Sequence, residues 1–158
     1  MVLVVSFASS VTQGTVVVRV AGFIPGGTVS HIYVRFSEIR LHAAGYPATS
    51  GWITLTNLLP RVDLVPESSP AVPEALISAR VQSGRYDALS LVATNSTVVV
   101  DNAPEVAVSQ GSTVNSTVTI PVPPSGFGDV LLVVLVDYNR ILSSDPTLSL
   151  TLLRATAS

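Results

Sequence analysis

Two histidines, ten acidic residues and no cysteine are the material from which a reactive or metal-binding site would have to be built. Without a thiolate there is no Cys nucleophile, no disulfide frame and no Cys-ligated zinc. His42 follows Glu38 along one stretch, but in a strand those two side chains do not make a metal site alone. His31 and His42 are therefore expected at the surface. Asp101, Asp129, Asp137 and Asp145 fall at loop positions and read as solvated turn acids. Ca²⁺ takes six to eight oxygen ligands, so a calcium site here would have to be shared between copies of the chain, and no other cofactor is implied. The chain has no Gly-x-Ser-x-Gly elbow, phosphate-binding Gly loop, His-Glu-x-x-His or EF-hand loop. Serine is so common that a dispersed Ser/His/Asp arrangement carries no signal. The reading is of a protein that is not an enzyme. Trp52 and Tyr86 are the pair from which a sugar-binding platform could be made, although packing is the ordinary role of two separated aromatics.

Two triplets could be modified. Asn95-Ser96-Thr97 and Asn115-Ser116-Thr117 are N-glycosylation sequons. Asn115 points outward by strand phase and Asn95 sits in an apparent turn. Glycosylation at both is expected if the chain is secreted, although a Ser/Thr-rich composition produces such triplets by chance.

The elements that would hold these residues are strands. The chain of 158 residues is 47% hydrophobic and only 11% charged, and all eight of its basic residues are Arg. Val and Thr abound, and their branched side chains suit a pleated surface. The length suits one domain with a sizeable core. A net charge of −2 gives no basic field, so nucleic acid is not an expected partner. No apolar run reaches the roughly 18 residues of a membrane helix, and insertion into a membrane is not expected. Low charge with abundant Ser and Thr suits an extracellular, assembled protein.

Val16, Val18 and Val20 alternate with Thr15, Val17 and Arg19 in a half-buried strand. Ile32, Val34 and Phe36 continue the pattern, then the phase flips to Ile39 and Leu41. That flip predicts a β-bulge near Ser37-Glu38. Short strands are expected at Gly51–Thr56, Arg61–Val65 and Glu105–Ser109, with a Pro-rich loop from Pro66 to Pro73. Glu74–Val81 is the only helix candidate. Tyr86–Ala93 and Thr97–Asp101 read as two strands turning at Asn95-Ser96. Val114, Val118, Ile120 and Val122 point inward in a later strand. Val130–Val136 is continuously apolar and is expected to be a central strand covered on both faces. Leu148, Leu150 and Leu152 alternate in a last strand. About nine or ten short strands separated by turns make an all-β fold, a β-sandwich of immunoglobulin-like or jelly-roll-like type.

The first ten residues do not fit that domain. Val2 and Val4 point one way and Leu3, Val5 and Phe7 the other, so the segment is apolar on both faces and needs cover on both. Three destinations stand open: a strand donated to a neighbouring copy, a strand paired within its own domain, or the remnant of a targeting signal. Met1–Ala8 is short for a signal core and lacks a basic flank, so a leader, if present at synthesis, is expected to have been removed.

Read in order, Ser37-Glu-Ile-Arg-Leu-His42, Gly51-Trp-Ile-Thr-Leu55, Val62-Asp-Leu64, Ala75-Leu-Ile77 and Ser83-Gly-Arg-Tyr-Asp-Ala-Leu-Ser-Leu91 resemble a family of secreted β-sandwich domains of unknown function. The family is common in archaea and in bacterial surface lipoproteins. The resemblance spans roughly Gly14 to Val122 and implies no catalytic residues. Residues 1–10 lie outside its pattern. They resemble, in architecture, the N-terminal strands of archaeal extracellular threads and bundling pili, which complete the sheet of the next subunit.

These readings converge on residues 1–12 as donor strand and linker and 13–158 as one sandwich. The expected function is a homopolymeric extracellular filament, with Val2, Leu3, Val4, Val5 and Phe7 entering a groove lined by Val130, Leu132, Val134 and Val136. Neighbouring filaments or surface carbohydrate are the other expected partners. The alternative is a monomeric cell-surface binding domain, for carbohydrate among other ligands, with residues 1–10 paired in cis.

Overall fold

The structure, a computed structural model, describes residues 12–23, 29–55, 61–65, 74–100, 103–108, 112–145 and 147–158. Among these the elements follow as β1 (Gln13–Phe23), β2 (Val29–Ala43), β3 (Trp52–Thr54), β4 (Arg61–Asp63), β5 (Glu74–Gln82), β6 (Gly84–Val100), β7 (Val106–Ala107), β8 (Ser112–Ser116), β9 (Ile120–Val122), β10 (Phe127–Val136), α1 (Tyr138–Ile141) and β11 (Leu150–Ala157). Val2–Phe7 and the Pro66–Pro73 loop lie outside the described residues.

Two sheets result. The smaller has the order β11-β10-β1-β5, with β1 parallel to β10 and the outer pairs antiparallel. The larger is built on the long antiparallel pair of β2 and β6, with β3 and β4 on the far side of β2 and β7, β8 and β9 on the far side of β6. Strict alternation in β1 sends Val16, Val18 and Val20 into the space between the sheets. They meet Ile32, Val34 and Phe36 of β2, Leu89 and Leu91 of β6, and Val130, Leu132, Val134 and Val136 of β10 in one continuous core. The fold is all-β and sandwich-like.

The phase flip in β2 is a true bulge: its pairing with β6 slips between Phe36 and Glu38, which returns Ile39 and Leu41 to the core. Strand β10 is central, as its continuous apolarity requires, but its two faces differ. The inner face is fully buried and Leu131, Val133 and Leu135 on the outer face are only half-buried.

Three expectations are corrected. Glu74–Gln82 is a strand, not a helix, because Ile77, Ala79 and Val81 pair in register with Val18, Val16 and Gly14 and tertiary pairing outweighs local propensity. No turn interrupts Asn95-Ser96: β6 runs unbroken from Gly84 to Val100, absorbing the sequon in a register slip opposite Tyr33/Arg35. Helix instead appears as the single turn α1, where Asp137 Oδ1 accepts from the Asn139 amide at 3.1 Å.

Candidate functional site

The four-stranded sheet ends on β11 and β5, each hydrogen-bonded on one side only among the described residues. An open strand edge carries unpaired N–H and C=O groups and is a template for another strand. Strand β11 is eight residues long. Its core-facing Leu152, Ala155 and Ala157 are only half-buried, and Leu153, at the bulge in its pairing with β10, is 51% exposed.

Across from it lies β8, held near by a hydrogen bond from the Leu150 amide to Ser112 Oγ at 3.1 Å. Between them opens a cleft of about 650 Å³, walled by Leu152–Ala155 on one side and by Leu89, Asn115, Ser116 and Thr117 on the other, with Trp52 at one end. Its walls are mostly apolar. Ser116 is 3% exposed, and its hydroxyl has no hydrogen-bond partner. Leaving a buried hydroxyl unpaired costs about 1–3 kcal/mol.

The expected groove is corrected by this geometry. Val130, Leu132, Val134 and Val136 are fully buried within the sandwich. Strand β10 has β1 on one edge and β11 on the other, so neither edge can receive a further strand. Among the described residues the edge without a partner falls one strand out, on β11.

A second cluster sits on the outer face of the larger sheet. In register, His42 lies between Trp52 of β3 and Ala88 of β6. The register slips at His42/Ala43, and Asp87 stands in the slip. His42 Nδ1 donates to Asp87 Oδ1 at 2.5 Å and Nε2 donates to the Pro47 carbonyl at 3.0 Å. Only a ring protonated at both nitrogens makes both bonds. The Asp87 hydrogen bond, then the Pro47 carbonyl, raise the His42 pKa above its ordinary 6.5. A ring so occupied has no free nitrogen with which to take a proton from a serine, so this His–Asp pair is a clamp and not the base of a triad.

The clamp closes the 44–51 loop over His42, which is 5% exposed and not on the surface as expected. The loop is tied further by Ala43 N to Gly51 O at 2.9 Å, Ser50 N to Pro47 O at 2.9 Å and Trp52 Nε1 to Ala48 O at 2.9 Å. It presents Tyr46, 61% exposed, over a hollow of about 340 Å³ walled also by His42, Trp52, Asp87 and Thr117. The ring centroids of His42 and Trp52 are 5.0 Å apart. Arg40 covers Trp52 at 5.3 Å, its Nε 2.8 Å from Glu38 Oε1, close enough for an ion pair but not aligned as a hydrogen bond. Tyr86 takes no part. It is buried and donates its hydroxyl to the Gln82 carbonyl at 2.7 Å, so the exposed aromatic beside Trp52 is Tyr46.

His31 is half-buried, with Nδ1 2.6 Å from Asp63 Oδ2 and its ring stacked on Tyr33. Arg61 lies 3.9 Å over the same Tyr33 and pairs with Glu105 at 2.6 Å, which holds the Glu105 carboxyl below its ordinary value. Asp129 pairs with Arg19 at 2.9 Å, Asp145 is engaged, and Asp101 lies outside the described residues. Among the described residues no three His, Asp or Glu side chains gather as a metal site. Asn115 is exposed on β8, as its phase predicts, with Thr117 exposed beside it. Thr97 of the other sequon is bonded to Glu105 at 3.1 Å, and its Ser96 is buried.

Fold and site thus define a small all-β sandwich-like domain with a clamped aromatic loop and, among the described residues, an unpaired sheet edge. Residues 13–141 match a family described as a domain of unknown function, DUF4382, and the chain belongs to that family. No curated protein and no solved structure matches it.

Proposed function

We propose that this protein is the structural subunit of an extracellular filament, assembled by strand donation. Residues 1–10 of one copy pair with the free edge of β11 in the next. The observation that carries this reading is the β11 edge, unpaired among the described residues, beside a mostly apolar cleft. A strand apolar on both faces matches such a site on two counts. Its backbone supplies the missing ladder bonds, and its alternate side chains enter the cleft.

Lengths agree as well. Val2–Phe7 extended spans roughly 20 Å, within the roughly 26 Å of β11. Each buried Val, Leu or Phe contributes about 1.5–3 kcal/mol before ordering costs. Thr12, just before β1, is held beside Ser83, whose amide donates to the Thr12 carbonyl at 2.9 Å. A head-to-tail contact of this kind builds open fibres when its rotation does not close. Secretion follows from the assembly, and Asn115, exposed at the cleft rim, is the better placed of the two sequons for a glycan.

Electron microscopy of the purified native protein tests the reading. Long uniform fibres are expected, and a variant lacking residues 1–10 should stay folded yet form none. Dispersed monomers across protein concentration and salt would overturn it. So would a deletion variant that unfolds, since that places the strand in cis.

A further inference from the structure

The hollow under Tyr46 adjoins the β8–β11 cleft, with Trp52 and Thr117 lining both, and its chemistry is specific enough to name a ligand class. It differs from the β8–β11 cleft in being framed by rings. Tyr46 stands 61% exposed on one side, and Trp52 and His42 form another wall. The Tyr46 ring that water touches, on a loop held by a clamp, is an outlay in stability with little return in packing. The loop holding it is ordered by the clamp and by Trp52 Nε1 to Ala48 O. The platform is therefore preformed, which lowers the ordering cost of binding.

Charge excludes most ligands. Asp87 is engaged by His42 Nδ1, and Arg40 is committed to Glu38 and the Trp52 ring. Among the described residues no unpaired cation on the walls would hold a phosphate or carboxylate, and no unpaired anion would hold an amine. A purely apolar ligand would strand the polar groups that remain: the half-exposed Asp87 carboxylate and the exposed Thr117 hydroxyl. A neutral molecule with an apolar C–H face and a rim of hydroxyls meets both demands, stacking on the rings and bonding at its edge. A volume of about 340 Å³ lies at the lower end of small-ligand sites.

We infer that the hollow formed by Tyr46, Trp52, His42, Asp87 and Thr117 binds a neutral pyranose sugar, stacked on the Tyr46 and Trp52 rings and hydrogen-bonded by Asp87 and Thr117. The inference needs neither residues 1–10 nor the β11 edge.

Trp52 is the sole tryptophan, so its emission reports the site directly. The full-length protein is titrated with methyl glucoside, methyl mannoside, cellobiose and maltose up to on the order of 10 mM. A saturable change with at least one of them is expected. Tyr46→Ala should weaken it tenfold or more, and Thr117→Val, which leaves the clamp intact, by several-fold. Circular dichroism confirms that both variants are folded. No saturable change with any of the four sugars overturns the inference, as does a response of equal affinity in folded Tyr46→Ala and Thr117→Val. If either variant unfolds, protection of Tyr46 from iodination by the bound sugar replaces it, and absence of protection overturns the inference.

Discussion

Gly51 and Gly45 bracket the clamped loop and offer a matched pair of perturbations. Both have positive φ, +78° at Gly51 and +91° at Gly45. A Cβ at position 45 meets nothing within 4 Å, whereas one at position 51 would stand 2.5 Å from Tyr46 Cβ and 2.8 Å from its Cγ. Alanine in the left-handed region costs about 1–2 kcal/mol at either site. At Gly51 the clash adds an overpacking cost of about 1–3 kcal/mol, since Tyr46 Cβ is fixed to the backbone and cannot swing away. Gly45→Ala should therefore lose about 1–2 kcal/mol and Gly51→Ala roughly 2–5 kcal/mol. For a chain of this size each kcal/mol lowers Tm by about 2–4 °C. Urea unfolding followed by Trp52 emission measures both, and the folded baseline of Gly51→Ala should itself shift as the loop is displaced. Tyr46→Gly removes the three atoms nearest the new methyl, so in that background the excess cost of Gly51→Ala should vanish. Equal costs at the two positions, or an excess that survives Tyr46→Gly, would refute the account of the loop.

Further outcomes follow from the core and from the two ion-paired clusters. Leu132→Ala, at a fully buried position of β10, should cost about 2–5 kcal/mol in chemical denaturation, whereas Leu153→Ala on the open edge should change monomer stability by no more than about 0.5 kcal/mol. The His42 pKa is raised above 6.5, chiefly by Asp87, so the clamp is whole below that value and is lost as pH rises through the raised one. NMR titration of the ring should show this midpoint, and Asp87→Asn should move it down; a wild-type midpoint at or below the ordinary value contradicts the clamp. The Glu105 carboxyl is held below its ordinary 4.5 first by the Arg61 hydrogen bond, so that pairing persists above 4.5 and is lost as pH falls through the lowered value. Arg61→Gln should raise the Glu105 midpoint in a carboxyl NMR titration, and no movement would show that the pair does not form in solution.

The sequence reveals most where burial is one-sided and local. Alternation in β1 and the phase flip at Ser37-Glu38 are consequences of a period of two, so strand and bulge can both be read directly. The unbroken apolarity of Val130–Val136 marks a central strand for the same reason. Glu74–Gln82 misleads because its Ala and Leu suit either period, and the decision is made by pairing with β1, a non-local fact. Likewise Asn95-Ser96-Thr97 looks like a turn, yet a register slip carries it through β6. The clamp was hidden because His42 and Asp87 are far apart in sequence and become neighbours only through the β2–β6 ladder. Its partial signal was the presence of both residues in the stretches that carry the family resemblance. Which edge lacks a partner among the described residues depends on strand order, which no residue pattern states.

Because the chain has no natural cysteine, a pair introduced by mutation reports one contact without background. Val5→Cys in one copy, scanned against Leu152→Cys, Leu153→Cys and Arg154→Cys in β11, tests the strand-donation account most directly. Mild oxidation should yield a ladder of covalent multimers for at least one pair, requiring both cysteines and disappearing on reduction. Oxidised protein that runs only as monomer for all three pairs, cross-linked internally or not at all, would contradict it.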